Sequence, residues 1–123
     1  MGLRDDWPTP PRPMYFSPNG EPMEMLEWAN LFEKRREDLS PESWWRKRTE
    51  VGADLEVSTV WLGLNHRWSD GPPLIWETMI FGGDHDLHCW RYSSRQAAYD
   101  DHERIVRALV AGRDPEEVSC GAW

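Results

Sequence analysis

A chain of 123 residues carrying a formal charge of −8 has the size of one ordinary domain and is too short for two independent cores. Its acidity disfavours general binding to nucleic acid, whose phosphates call for net Lys and Arg on the contacting face, and suits a basic protein partner instead. Two cysteines allow at most one disulfide, no run approaches the roughly 18 apolar residues of a membrane span, and the opening MGLRDDWPTPP lacks the apolar core of a signal peptide. The expectation is a cytoplasmic protein with free thiols at Cys89 and Cys120 and no membrane contact.

Residues 1–13 hold Pro8, Pro10, Pro11 and Pro13, which remove backbone donors and favour an extended arm. Met14-Tyr15-Phe16, followed by the Asn19-Gly20 turn signal, predicts a short strand and a small hairpin. From about Pro22 to Asp38 the spacing of Met25, Trp28, Ala29 and Phe32 predicts a helix, and Leu26 and Leu31 widen its apolar side so that burial on more than one face is expected. Ser40-Pro41-Glu42 reads as a cap followed by proline, opening a second short helix to about Thr49 that Gly52 ends.

The stretch Val57 to Tyr92 organises the remainder. A strand over about Leu55 to Leu64 is apolar on both sides, with Val57 and Trp61 pointing one way and Val60, Leu62 and Leu64 the other; a second strand over about Leu74 to Phe81 repeats this. Ser69-Asp70-Gly71-Pro72-Pro73 reverses the chain between them, which makes an antiparallel hairpin. Gly82-Gly83-Asp84 gives the next turn, and a third strand covers Leu87 to Tyr92. Ser93 with Gln96 has capping-box spacing for a last helix over about Ser94 to Ala111, closed by Gly112. Its predicted inner stripe is Ala98, His102, Ile105 and Leu109, with Asp100, Asp101 and Glu103 facing water. The fold class is therefore α+β, a three- to four-stranded antiparallel sheet flanked by helices, in one domain over 14–112 with a tail over 113–123. One sheet face has its helix; the other needs the N-terminal helices or another subunit.

Candidate chemistry concentrates in Asp84-His85-Asp86-Leu87-His88-Cys89. The run places metal-ligand types within six residues, with His85, His88 and Cys89 as the candidates, but zinc asks for three or four converging ligands. His66 cannot join them, since a strand of about eight residues at roughly 3.3 Å each separates it from His85 by some 25 Å. No metal and no cofactor are expected. His102, on an apolar stripe, reads as a core histidine with one satisfied hydrogen bond in preference to a general base. Cys89 would need a lowered pKa and exposure to act as a nucleophile. Glu77 interrupts an apolar strand, and either Arg91 pairs with it across the sheet or it sits on a wet rim. No nucleophile elbow, P-loop or dinucleotide fingerprint is present, so no catalytic residue is assigned.

Nine tryptophans exceed what so small a core readily encloses, and Trp is favoured as a contact anchor, so Trp44, Trp45, Trp61, Trp68, Trp76 and Trp90 are candidate interaction residues, with Trp61 or Trp76 at the centre of the contact face. Residues 34–48 carry net +3 and the rest −11. Arg46, Lys47 and Arg48 are candidate anion contacts beside Trp44 and Trp45, a solvated helix face being the plainer alternative, and the segregation would also let this segment meet the acidic last helix of a second subunit.

STVWLGLNHRWSDGPPLIWETMIFGG, then WRYSS opening a helix with Ala97, Ala98 and His102, resembles a group of small bacteriophage- and prophage-encoded proteins, many from GC-rich actinobacterial hosts. MYFSPNGEPMEMLEWANLF resembles their N-terminal part, and twelve Arg against two Lys agrees with such a source. The resemblance implies phage accessory biology and brings no catalytic residues with it. The leading expectation is a non-enzymatic accessory protein that binds and modulates a host protein, for takeover or against defence, as a homo-oligomer with a dimer favoured. The alternatives are a self-associating structural or assembly accessory and a metal-dependent enzyme using residues 84–89.

Overall fold

The computed structural model describes residues 13–67 and 70–122. They form a single α+β domain: a hairpin of β1 (Tyr15–Phe16) and β2 (Pro22–Met23), helix α1 (Met25–Glu37), a four-stranded sheet of β3 (Arg46–Val51), β4 (Leu55–Trp61), β5 (Trp76–Phe81) and β6 (Cys89–Tyr92), and helix α2 (Arg95–Val110). The sheet is an antiparallel meander in chain order, so every neighbour in sequence is a neighbour in space. The proline arm and Trp68 lie outside the described residues, apart from Pro13.

The predicted hairpin at Asn19-Gly20, the three strands and both long helices are present. The second short helix is not: residues 46–51 are β3, paired with β4 from Arg46↔Val60 to Val51↔Leu55. A cap followed by proline is a weak local signal, and six residues of ladder outweigh it, helped by the β-forming Trp45, Thr49 and Val51. Gly52, read as a helix stop, instead takes the left-handed φ of 68° that the β3–β4 turn requires.

Paired residues share a sheet face, so the register sorts the side chains. One face carries Val57, Thr59, Trp61, Trp76, Thr78, Ile80, Trp90 and Tyr92, all buried against α2, whose buried residues are Ala98, Tyr99, Asp101, His102, Ile105 and Ala108. α1 reaches this core at one end, where Trp28 and Phe32 form an aromatic chain to Trp61. It buries no residue fully, so the expected two-sided burial is corrected: Met25 and Leu26 stand in water. Trp28 Nε1 donates to the Leu62 carbonyl at 2.9 Å, and its indole lies where a Cβ on Gly63 would sit, 2.5 Å away, with Gly63 itself at φ 70°.

The cap of α2 is Ser94, not Ser93: Ser94 Oγ accepts from the Ala97 N–H at 3.1 Å, while Gln96 turns to Asp100. The segment expected to be a C-terminal tail packs onto the domain. Pro115 is buried in a short 3-10 helix over Pro115–Glu117, and Ala122 exchanges backbone hydrogen bonds with Arg91 on the outer edge of β6. At the other edge Arg48 N–H donates to the Pro41 carbonyl and Ser43 N–H to the Arg46 carbonyl, so residues 41–43 run beside β3.

Candidate functional site

The groups with catalytic potential are placed first, because their partners decide what they can do. His102 is fully buried between two strands. Its Nε2 lies 2.8 Å from Thr49 Oγ1 and its Nδ1 2.7 Å from Thr59 Oγ1, which is in turn 2.6 Å from Thr78 Oγ1. A neutral imidazole has one donor and one acceptor nitrogen, and both are used. Burial drives its pKa down to about 4, outweighing the pull of Glu103 and Glu42. His102 is a core histidine with two hydrogen bonds in place of the one expected.

Asp101, expected to face water, is fully buried. It accepts from Tyr92 Oη, from Ser119 Oγ at 2.8 Å, from the Cys120 N–H at 3.0 Å and from Arg104 Nε at 3.2 Å. Four donors satisfy a carboxylate that would otherwise be expensive to bury. The tyrosine hydroxyl is held far above its ordinary range by burial and by its bond to that carboxylate. Asp101 therefore clasps the C-terminal segment to α2 and has no free lone pair aimed at a cleft.

The 84–89 cluster does not assemble. Residues 84–87 are in turns, Leu87 is at φ 67°, and the turn persists to His88, whose N–H donates to the His85 carbonyl. The His85 and His88 rings meet edge to face at 5.4 Å, and His88 Nδ1 sits 3.0 Å from Glu116 Oε1 on the 3-10 helix. Cys89 belongs to β6 and points to the other sheet face. Among the described residues no three His, Cys, Asp or Glu side chains converge as a metal set. Burial, with Glu77 behind it, pushes the Cys89 thiol up, the reverse of what a nucleophile needs. His66 lies beside Glu77 and Arg91, at the far end of β5 from His85, and is lowered by its burial and by Arg91.

The basic candidates are split by the strand that replaced the helix. Lys47 faces α2 and reaches Glu103 at 2.7 Å and Glu42 at 3.6 Å, so the contact expected between the basic segment and the last helix is made within one chain, on a helix whose three Arg balance its three Asp and Glu. Arg46 and Arg48 face the other way, donating to the Arg35 carbonyl at 3.3 Å and pairing with Glu56 at 3.5 Å. Period two places Arg46 and Arg48 on one face and Lys47 on the other, where a helix would have fanned the three out at about 100° each.

The tryptophans divide as well. Trp61, Trp76 and Trp90 are spent inside the fold, Trp61 and Trp76 donating their Nε1 protons to the Phe16 and Pro18 carbonyls, so the contact expected at Trp61 or Trp76 is corrected to core packing. Trp45 is half-buried and donates to Asp38, whose carboxyl is held down to about 2 by the Ser40, Ser43 and Trp45 donors. Trp44 is 47% exposed, with the Arg95 guanidinium 4.7 Å over its ring and 4.4 Å over that of Tyr99.

Among the described residues two apolar surfaces stand without internal cover. On the sheet face opposite α2, Val60, Met79 and Cys89 are half-buried and Phe81 is 42% exposed. Beside the N-terminal hairpin, Pro13, Met14, Tyr15, Pro22, Met23 and Met25 line a shallow groove. The spacing of Asp101 with Ala98, Ile105 and Ala108 would have revealed it as inward-facing, and methionines clustered around a short hairpin were the missed signal for the groove. No helix of the described residues is long and apolar enough to cross a membrane. Compared with family models, curated proteins and solved structures, the chain matches none.

Proposed function

We propose that this chain is a non-enzymatic binding protein, and that its contact with a foreign protein is the methionine-lined surface of the N-terminal hairpin and α1. One observation supports it above the others: apolar side chains that could have been buried stand in water together there. Met14 and Met25 line the groove, and Leu26, still more exposed, continues it onto α1. Clustered exposed apolar groups mark contact sites, and methionine adapts its unbranched chain to the partner's shape. The groups that might have carried catalysis, His102, Asp101 and Cys89, are satisfied internally or poorly activated. On the resemblance to phage-encoded proteins, the partner is a protein of the infected host, and binding modulates it. A structural or assembly accessory is the second reading, favoured by the uncovered sheet face.

The test is affinity capture of host lysate proteins on the immobilised chain, with partners identified by mass spectrometry, repeated with Met25→Glu combined with Leu26→Glu. Both residues are exposed, so the variant keeps its fold. A stoichiometric partner lost by the variant supports the proposal; no partner, or one that the variant retains, refutes it.

A further inference from the structure

The sheet face opposite α2 presents, row by row, Arg46, Val60, Glu77 and Arg91, then Arg48, Ser58, Met79 and Cys89, then Glu50, Glu56 and Phe81. Three arginines stand against three glutamates, so this face is neutral on a chain of −8. For two copies that repel one another overall, a neutral face with an apolar centre at Val60, Met79 and Phe81 is the natural place to meet.

The charges carry the argument further. Arg91 pairs with Glu77 at 3.1 Å and Arg48 with Glu56 at 3.5 Å, within the face. Two charges are left over. Glu50 stands directly opposite Glu56 in the β3–β4 register, an unfavourable like-charge pair, and has no basic partner among the described residues. Arg46, half-buried with its Nε inside, donates from Nη2 to the Arg35 carbonyl of α1 and has no carboxylate partner among them. The two sit on one strand and one face, four residues apart, or about 13 Å.

We propose that the open sheet face binds a second copy of this chain, through a two-fold axis that lies in the interface, crosses the strands and passes over the Arg48, Ser58 and Met79 row. That operation lays Arg46 of each copy over Glu50 of the other, stacks Met79 on its own mate, and brings Arg48, neutralised within its own chain by Glu56, to its own mate at the edge of the patch. A two-fold contact must be self-complementary, and this face supplies both halves of the leftover pair. Four strands at about 4.8 Å by six residues at about 3.4 Å give a patch of about 19 Å by 20 Å. The contact would bury roughly 800 Å² in all, about 380 Å² per copy, small for a specific interface, and so implies a weak, reversible dimer that forms at a concentration on the order of tens of micromolar.

Sedimentation equilibrium of the full chain, from well below to well above that concentration, is the test. Monomer and dimer exchanging with concentration is the expected result. Glu50→Arg, which gains a partner in Glu56 within the chain and so keeps the fold, should weaken the dimer at least tenfold, and so should Arg46→Glu. Mixing the two variants should restore association as a heterodimer. Met79→Glu should abolish it, with circular dichroism confirming the fold. A chain monomeric throughout the range, or a dimer indifferent to Glu50→Arg, overturns the proposal. So does a wild type that stays monomeric while a foreign protein is captured through Met79. The variants touch nothing in the N-terminal groove, so loss of this dimer and loss of the host contact read out separately.

Discussion

Acidification from neutral pH should remove stability through His102 before it touches the carboxylates. The unfolded imidazole takes up a proton near 6.5, while the folded one, lodged between Thr49 and Thr59, resists until about 4. Between those values the unfolded chain binds more protons than the native one, so stability falls with falling pH, at about 1.4 kcal/mol per unit. Across the window this amounts to roughly 3 kcal/mol, a large part of the 5–15 kcal/mol typical of a domain. Above 6.5 neither state is protonated and the contribution is complete. Asp38 and Glu103, lowered as His102 is, give the same direction of loss, but only below their ordinary values of 3.8 and 4.5. The assay is urea unfolding followed by tryptophan fluorescence at a series of pH values between 4.5 and 7, for the wild type and for His102→Gln. The variant starts less stable but should show a nearly flat profile where the wild type slopes. An imidazole of His102 titrating near 6.5 by NMR, or equal slopes in the two proteins, would refute the reasoning.

Asp101→Asn should cost about 3 kcal/mol, because it replaces a fully satisfied buried carboxylate by an amide that cannot accept from all of Tyr92, Ser119, Cys120 and Arg104; chemical denaturation measures it, and hydrogen exchange should show residues 119–122 released first. Gly63→Ala should cost about 2 kcal/mol or more, since it strains a positive φ and drives a methyl into Trp28 and Trp61; a loss under 0.5 kcal/mol in thermal unfolding would contradict the packing described.

The central sheet was legible because its signals agree at every level. A strand apolar on both sides from Val57 to Leu64, a proline-rich reversal and the Gly82-Gly83 turn all specify one meander, and tertiary contacts had nothing to overrule. Glu77 with Arg91 illustrates the limit of that legibility: parity allowed either a cross-strand pair or a wet rim, and only the register, Glu77↔Arg91, decided for the pair. Residues 40–51 failed for the opposite reason. Their local composition suits a helix, and the force that makes them a strand is the exposed ladder of β4, a partner nine residues on. The charge of Asp101 spoke against the inward position that its spacing with Ala98, Ile105 and Ala108 indicated, and the donors that reconcile the two include Ser119 and Cys120, far along the chain. The tryptophans were weighed by number when their indole protons were what mattered: a backbone carbonyl waiting at Phe16 or Pro18 lets a large polar-tipped ring be buried whole.

The two strips of chain laid along β3 and β6 govern how copies of this protein can fail as well as how they work. An exposed strand edge is a template on which further chains add without limit. Here Ala122 occupies the Arg91 side of one edge and Pro41 to Ser43 lie along the other, so growth by strand addition is hindered in both directions. If copies stack through the open sheet face as proposed, a contact with a two-fold axis stops at two. Shortening the chain before Ser119 would strip one edge and also take two donors from the buried Asp101, so truncation carries the hazard of edge-on aggregation together with lost stability.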